Sequence, residues 1–237
     1  MSTEHVEHAE DGLEAGNGLE ATEDTRNTLR NEILRAAKAM YSKGMVQGTQ
    51  GNVSARLPDG NICITPSSIS YEEMALGDLV TIAPDGEVLD GGRSPSSEKL
   101  LHIECYKRFP DIASVVHSHP VYASMFALAG KPIPAWMDET IVYLGGDIEV
   151  STYGMSGTQA MATNATMVLE GRSVALLANH GMVSVGKSPS HALELAILAE
   201  RTAHIVMGAT LLGSPQPLPR DSVDSLKEVY QLMRSMK

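Results

Sequence analysis

Apolar residues recur along this chain with two different periods. Leu29, Ile33, Leu34, Ala37, Met40 and Tyr41 return at helical spacing, behind the capping pair Asp24–Thr25 and ahead of Gly44, and predict a first helix. Short runs of strand-forming residues follow at 52–57, 61–65 and 78–82, separated by the turns Pro58-Asp59-Gly60 and Pro84-Asp85-Gly86. The helical period resumes over 96–109, behind Pro95, and again over 122–128, 159–169, 190–212 and 222–236. Between these helices, 114–119, 173–178 and 182–185 read as strands, the first running into Pro120. There is no strict βαβ rhythm and no internal repeat. The pattern predicts a single α/β domain, its sheet mixed or antiparallel and flanked by helices.

Residues 1–24 stand apart from this pattern. They hold eight acids (Glu4, Glu7, Glu10, Asp11, Glu14, Glu20, Glu23, Asp24) and no Lys or Arg, with few large apolar side chains. Such a segment is expected to be a disordered acidic tail, leaving 25–237 as the folded domain. The formal charge of the chain is −11, but residues 25–237 carry 21 acids against 18 bases, or −3. An acidic chain lacks the basic footprint that phosphate backbones require, which excludes nucleic acid as a partner. No apolar stretch reads as reaching the roughly 18 residues of a membrane span, so no membrane partner is expected. An acidic N-terminus is unlike a secretion signal. Cys63 and Cys105 form no CxxC pair and are expected to be buried thiols in a reducing cytoplasm.

Chemistry concentrates in a few places. In Val116-His117-Ser118-His119-Pro120, the i and i+2 side chains of a strand share one face, so both imidazoles can reach one metal ion. His180, in Ala178-Asn179-His180-Gly181, stands where an apolar strand meets a glycine turn, as a third ligand or as a solvated turn residue. Glu98, in Pro95-Ser96-Ser97-Glu98, is either a first-turn acid behind a serine cap or a carboxylate beside the metal. Three imidazoles leave zinc an open position for a substrate, and a neighbouring carboxylate can move a proton at a carbon the metal acidifies. His102, one helical turn after Glu98, reads as a partner behind the ligands, a further ligand, or a core or interface histidine. Gly48-Thr49-Gln50-Gly51-Asn52 and Thr65-Pro66-Ser67-Ser68 offer close backbone approach and hydroxyl or amide donors to an anion.

In this order the segments GTQGNVSAR (48–56), ITPSSI (64–69), PSSEKLLHIECYKRFPD (95–111), VVHSHP (115–120), GKPIPA (130–135) and ANHGM (178–182) resemble the class II aldolase/adducin family, over roughly residues 26–235. The resemblance implies a class II aldolase-like sheet flanked by helices and a homotetramer of fourfold symmetry with active sites between subunits. It implies zinc, with manganese or cobalt as alternatives, on His117, His119 and His180, and Glu98 as metal-adjacent acid/base and optional ligand. Thr49, Gly51, Asn52, Ser67, Ser96 and Ser97 match positions that hold a substrate phosphate.

The chain departs from the family pattern at three places. Asp138 follows Ile133-Pro134-Ala135 where an active-site tyrosine is usual; Ser156 replaces a later aromatic; and Ser68 replaces a glycine of the phosphate site. A phenol gives up its proton near pH 10 and a carboxylate near pH 4, so Asp138 is a catalytic candidate of altered character, with Tyr143 or Tyr230 as other candidates. Three functions follow from the resemblance. The first is cleavage of a sugar phosphate, like L-fuculose 1-phosphate, into dihydroxyacetone phosphate and an aldehyde through a metal-stabilised enediolate. The second is metal-dependent decarboxylation of a hydroxy- or oxo-acid. The third is a non-catalytic adducin-like domain, which would not need the metal ligands this chain retains.

Overall fold

Val53 and Ala55 are buried on one face of strand β1 (Asn52–Arg56), while Asn52 and Ser54 are buried on the other. The computed structural model describes residues 11–236. Around β1 lie β2 (Ile62–Ile64), β3 (Val80–Ile82), β4 (Val88–Asp90), β5 (Ser114–Ser118), β6 (Val174–Leu177) and β7 (Gly181–Gly186). They form one seven-stranded sheet in the order β4-β3-β2-β1-β5-β7-β6, every pair antiparallel.

Helices cover both faces. Helices α1 (Asp11–Ser42), α3 (Val121–Ala129) and α6 (Pro189–Leu212) close one side, where Ile33, Met40, Val53, Val116, Met182 and Ala196 share a core. Helices α2 (Lys99–Arg108) and α5 (Gln159–Leu169) close the other over Ile64, Leu101, Val115, Met161 and Val183. Two further helices, α4 (Asp138–Leu144) and α7 (Arg220–Ser235), pack against each other. Because both sheet faces are covered, every residue of β5, β6 and β7 is buried, and β6 reads as a continuous apolar run instead of an alternating one.

The structure differs from the periodicity in four places. Helix α1 starts at Asp11, well before the expected cap at Asp24–Thr25. Glu14, Ala15, Leu19, Glu20 and Ala21 are good helix formers, and extending an existing helix is far easier than nucleating one. The remainder of the expected tail, residues 1–10, lies outside the described residues. Strand β4 was hidden because its three residues are all exposed and held by edge pairing to β3. Helix α4 was hidden by its β-branched Thr140, Ile141 and Val142, against which Asp138 and Glu139 in the first turn and left-handed Gly145 at the end set its limits. Finally, α6 is long and apolar enough to cross a membrane by length and composition alone, contrary to the reading that no stretch approaches that. Its apolarity has a local use: Leu195, Ala196, Ala199, Ala203 and Val206 are buried in the core.

Candidate metal centre and active site

Strand register brings the candidate ligands together. His117 lies near the end of β5, opposite Asn52 of β1 on one side and Val183 of β7 on the other. His119 follows directly, its backbone N–H donating to Met45 O at 2.9 Å. His180 occupies the tight turn between β6 and β7, where Asn179 adopts a left-handed φ of 58° and the His180 N–H donates to Leu177 O at 3.0 Å. The three rings meet edge-on with centroids 4.7, 4.8 and 4.7 Å apart. Gly181 makes room for this: a Cβ there would stand 2.5 Å from Ser118 O and 2.9 Å from His119 Cδ2.

Glu98 completes the cluster from the opposite wall. It sits immediately before α2, at the cap position, but its side chain makes no capping bond. Instead Ser96 Oγ accepts from the Glu98 backbone N–H at 3.2 Å, and the carboxylate turns to the histidines. Oε2 is 3.1 Å from His117 Nε2 and accepts from Asn52 Nδ2 at 3.0 Å. Oε1 is 3.3 Å from His180 Nε2 and accepts from the Ser156 hydroxyl at 2.8 Å. Burial works to raise the Glu98 carboxyl, but the neighbouring His117, the Ser156 bond and His180 outweigh it and hold the group far below the usual carboxylate range.

The donor set fits a divalent cation. His117 Nδ1 faces Met182 O at 2.9 Å and must donate, which leaves Nε2 with its lone pair. That lone pair points into a space shared with His119 Nε2 at 2.8 Å and the Glu98 carboxylate. Burial, helped by the nearby imidazoles, pushes His119 down to about 3 and lowers His180 as well, so both present neutral nitrogens. One candidate ligand atom from each histidine lies within 4.8 Å of the others. Convergent lone pairs in a buried pocket repel one another unless a cation sits between them, and neutral imidazoles are common divalent-metal ligands.

Beside this cluster opens a cavity of about 240 Å³. Its walls include Thr49, Gly51 and Asn52 from one loop, Ser67 and Ser68 from a second, and Ser96 and Ser97 from a third, with Glu98, His119 and His180 at its metal end. Backbone bonds tie the loops together: Ser96 N–H donates to Thr65 O at 3.1 Å and Ser67 N–H to Ser94 O at 3.0 Å. Tyr71, buried behind, donates to the carbonyls of Gln50 and Gly51 at 2.8 Å each. Ser68 holds a left-handed φ of 59°, a conformation glycine adopts more easily. The cavity is therefore lined by neutral donors, which suit an oxyanion that brings its own charge.

The profile of the Class II Aldolase and Adducin N-terminal domain matches residues 31–207 of this chain. The chain belongs to the class II aldolase/adducin family. It is 33% identical over 207 residues to the 5-methylthioribulose-1-phosphate/5-deoxyribulose-1-phosphate aldolase of Rhodospirillum rubrum, covering 87% of this chain and 93% of that protein. It is 34% identical to the 5-deoxy-D-ribulose 1-phosphate aldolase of Bacillus thuringiensis serovar kurstaki, covering 85% and 95%. Among solved structures, an L-fuculose 1-phosphate aldolase superposes with a TM-score of 0.82 at 31% identity, over 86% of this chain and 96% of that one. The chain is thus a class II aldolase, a metal-dependent carbon–carbon lyase by family.

Not every candidate of this class II aldolase reaches the cavity. Asp138 opens α4 and is not among the cavity's lining residues. Tyr143, on α4, and Tyr230, on α7, line a different cavity, where Tyr230 is buried with its hydroxyl 3.0 Å from Ser173 Oγ and accepting from Arg234 at 2.9 Å. Two contributors have roles that the sequence does not assign. Ser156, marked there only as replacing an aromatic, binds Glu98 from a loop 58 positions away, a contact that no local pattern encodes. Tyr71 supports the glycine loop from behind, and nothing in its sequence surroundings marks it.

Proposed function

We propose that the protein cleaves a ketose 1-phosphate of the L-fuculose 1-phosphate type between C3 and C4, releasing dihydroxyacetone phosphate and an aldehyde. The observation that carries this reading is the convergence of three imidazole nitrogens and the Glu98 carboxylate at one end of a hydroxyl-lined cavity. His117, His119 and His180 would hold a divalent cation, zinc in the first instance and manganese or cobalt as alternatives. Bound there, the cation supplies positive charge against the negative charge that develops on the substrate's carbonyl oxygen during cleavage.

The chain's own residues do the rest. Thr49, Asn52, Ser67, Ser68, Ser96 and Ser97, with the Gly51 backbone, hold the phosphate and fix the distance from it to the reacting carbon. When the C3–C4 bond breaks, the C4 hydroxyl loses its proton to Glu98 and becomes the aldehyde carbonyl, the electron pair of the broken bond goes to C3, and Glu98 delivers the proton it has taken up to that carbon. In the condensation direction Glu98 removes the same proton. The Asn52 and Ser156 hydrogen bonds keep both oxygens of the Glu98 carboxylate in place for that transfer. Asp138 does not line this cavity within one chain, and Glu98 is the acid/base group proposed here.

We also propose a homotetramer in the cytoplasm. Exposed apolar side chains on α3 (Val121, Met125, Leu128) and at the end of α6 (Leu211, Leu212) are surfaces that further copies would cover. The buried free thiols of Cys63 and Cys105 suit a reducing compartment.

The test is incubation of the zinc-loaded protein with L-fuculose 1-phosphate, 5-deoxyribulose 1-phosphate and 5-methylthioribulose 1-phosphate, following dihydroxyacetone phosphate and carbon dioxide separately. Dihydroxyacetone phosphate from at least one of them supports the proposal. Carbon dioxide from a panel of hydroxy- and oxo-acids, with no cleavage of any ketose phosphate, overturns it in favour of decarboxylation.

A further inference from the structure

Behind Glu98 runs a buried chain of side chains that meets the cavity only at Asn52. Tyr106 OH lies 2.7 Å from Ser54 Oγ, which lies 2.6 Å from His102 Nδ1. On the other side of the ring, His102 Nε2 is 2.5 Å from Asn52 Oδ1, and Asn52 Nδ2 is 3.0 Å from Glu98 Oε2. His102 and Ser54 are wholly buried, and Asn52 and Tyr106 are 3% and 4% exposed. In such a place every donor must find an acceptor.

That requirement fixes the direction of each bond. A carboxylate only accepts, so Asn52 must turn its Nδ2 to Glu98 and its Oδ1 to His102. Oδ1 only accepts, so His102 carries its proton on Nε2. A neutral ring protonated on Nε2 has a bare Nδ1, so Ser54 must donate to it. Ser54 then has its oxygen free to accept from Tyr106. The alternative register would aim Asn52 Oδ1 at the carboxylate, two acceptors 3.0 Å apart, and is open only when Oε2 itself carries a proton.

We propose that His102 is a positioning residue: through Asn52 it anchors Glu98 Oε2 as a hydrogen-bond acceptor, which leaves Oε1 as the oxygen that exchanges a proton with the substrate. Oε1 is the oxygen held by Ser156 and His180, both of which line the cavity. Oε2 faces Asn52 and the fully buried His117. Without the His102 donor, Asn52 is free to flip, and either oxygen can then take the proton. This inference rests on Glu98 being the proton carrier.

The experiment uses the zinc-loaded enzyme with dihydroxyacetone phosphate alone as probe, reading deuterium uptake at C3 from D2O. His102→Phe removes both ring nitrogens, and His102→Gln restores an N–H near the position of Nε2. The expected result is a roughly 10–100-fold drop in exchange kcat for H102F, with KM and bound zinc unchanged, and recovery of most of that loss in H102Q. The side-chain ¹⁵N spectrum of the native enzyme is expected to show His102 protonated on Nε2 with a bare Nδ1. Unchanged kcat in a folded H102F, or a proton on Nδ1, overturns the inference. Should H102F fail to fold, the ¹⁵N spectrum decides alone. Full exchange in E98Q would instead remove the reading of Glu98 on which this rests, whereas loss in E98Q with normal H102F removes only the role of His102.

Discussion

Asn52 and His117 stand directly opposite each other in the ladder between β1 and β5, and both reach the same oxygen of Glu98, at 3.0 and 3.1 Å. One register pair thus carries both a proposed metal-ligand nitrogen and the side chain that holds the proposed acid/base. A slip of one residue in either strand would turn that strand's side chain to the opposite face and separate the pair.

Gly181→Ala tests how tightly the ligands are packed. The added methyl would meet Ser118 O at 2.5 Å and the His119 ring at 2.9 Å, so His119 has to move. The expected outcome is a folded protein whose zinc affinity falls about 10–100-fold, the range typical when ligand orientation is disturbed. Titration of the metal-free protein with zinc measures it.

Ser68→Gly should stabilise. Ser68 is held at φ 59°, where a side chain costs about 1–2 kcal/mol, partly offset by glycine's greater freedom in the unfolded chain. A net gain of about 1 kcal/mol or less is expected, seen as a rise in Tm of a few degrees. A fall in Tm would mean that the Ser68 hydroxyl, 3.3 Å from Ser67 Oγ, contributes more than the strain removes.

The stability of the metal-free protein should depend on pH in a defined window. Burial holds His102 down to about 3 in the folded state against 6.5 ordinarily. Between those values the unfolded chain binds a proton that the folded chain refuses, so stability is fully present above pH 6.5 and declines as pH falls toward 3. His119, also down to about 3, adds to the same slope, while Glu98, shifted below 4.5, contributes only at lower pH. Urea midpoints from pH 7.5 to 4.5 should therefore fall steadily, and more gently in H102Q.

Removing residues 1–24 should leave turnover and zinc content unchanged. The cavity and its ligands begin at Thr49, and the first described ion pair of α1 is Arg26 with Asp59. Loss of activity in the truncated protein, with its folding intact, would mean that the acidic segment reaches the site.

The candidate site was partly legible in the sequence because some of its chemistry is local. The i, i+2 spacing of His117 and His119 and the glycine turn at His180 are short-range signals, and the structure brings their rings together. Glu98 was ambiguous, since Ser-Ser-Glu before a helix is also an ordinary helix start. Its carboxylate turns away from the helix because four long-range partners compete for it: Asn52, Ser156, His117 and His180. Contacts such as Ser54 to His102, 48 positions apart, leave no periodic trace, so the buried chain behind Glu98 was invisible. Asp138 was selected by its place in a motif, and in the fold that place is the first turn of α4.

The central claim is that Glu98 moves the proton at a carbon next to a cation held by His117, His119 and His180. The most direct measurement is C3 deuterium uptake into dihydroxyacetone phosphate by zinc-loaded native protein and Glu98→Gln, with zinc stoichiometry determined on the same samples. E98Q is expected to keep its zinc and to lose exchange about 10²–10⁴-fold, the span of general acid–base catalysis. Exchange at the native rate in E98Q, with zinc still bound, would contradict it.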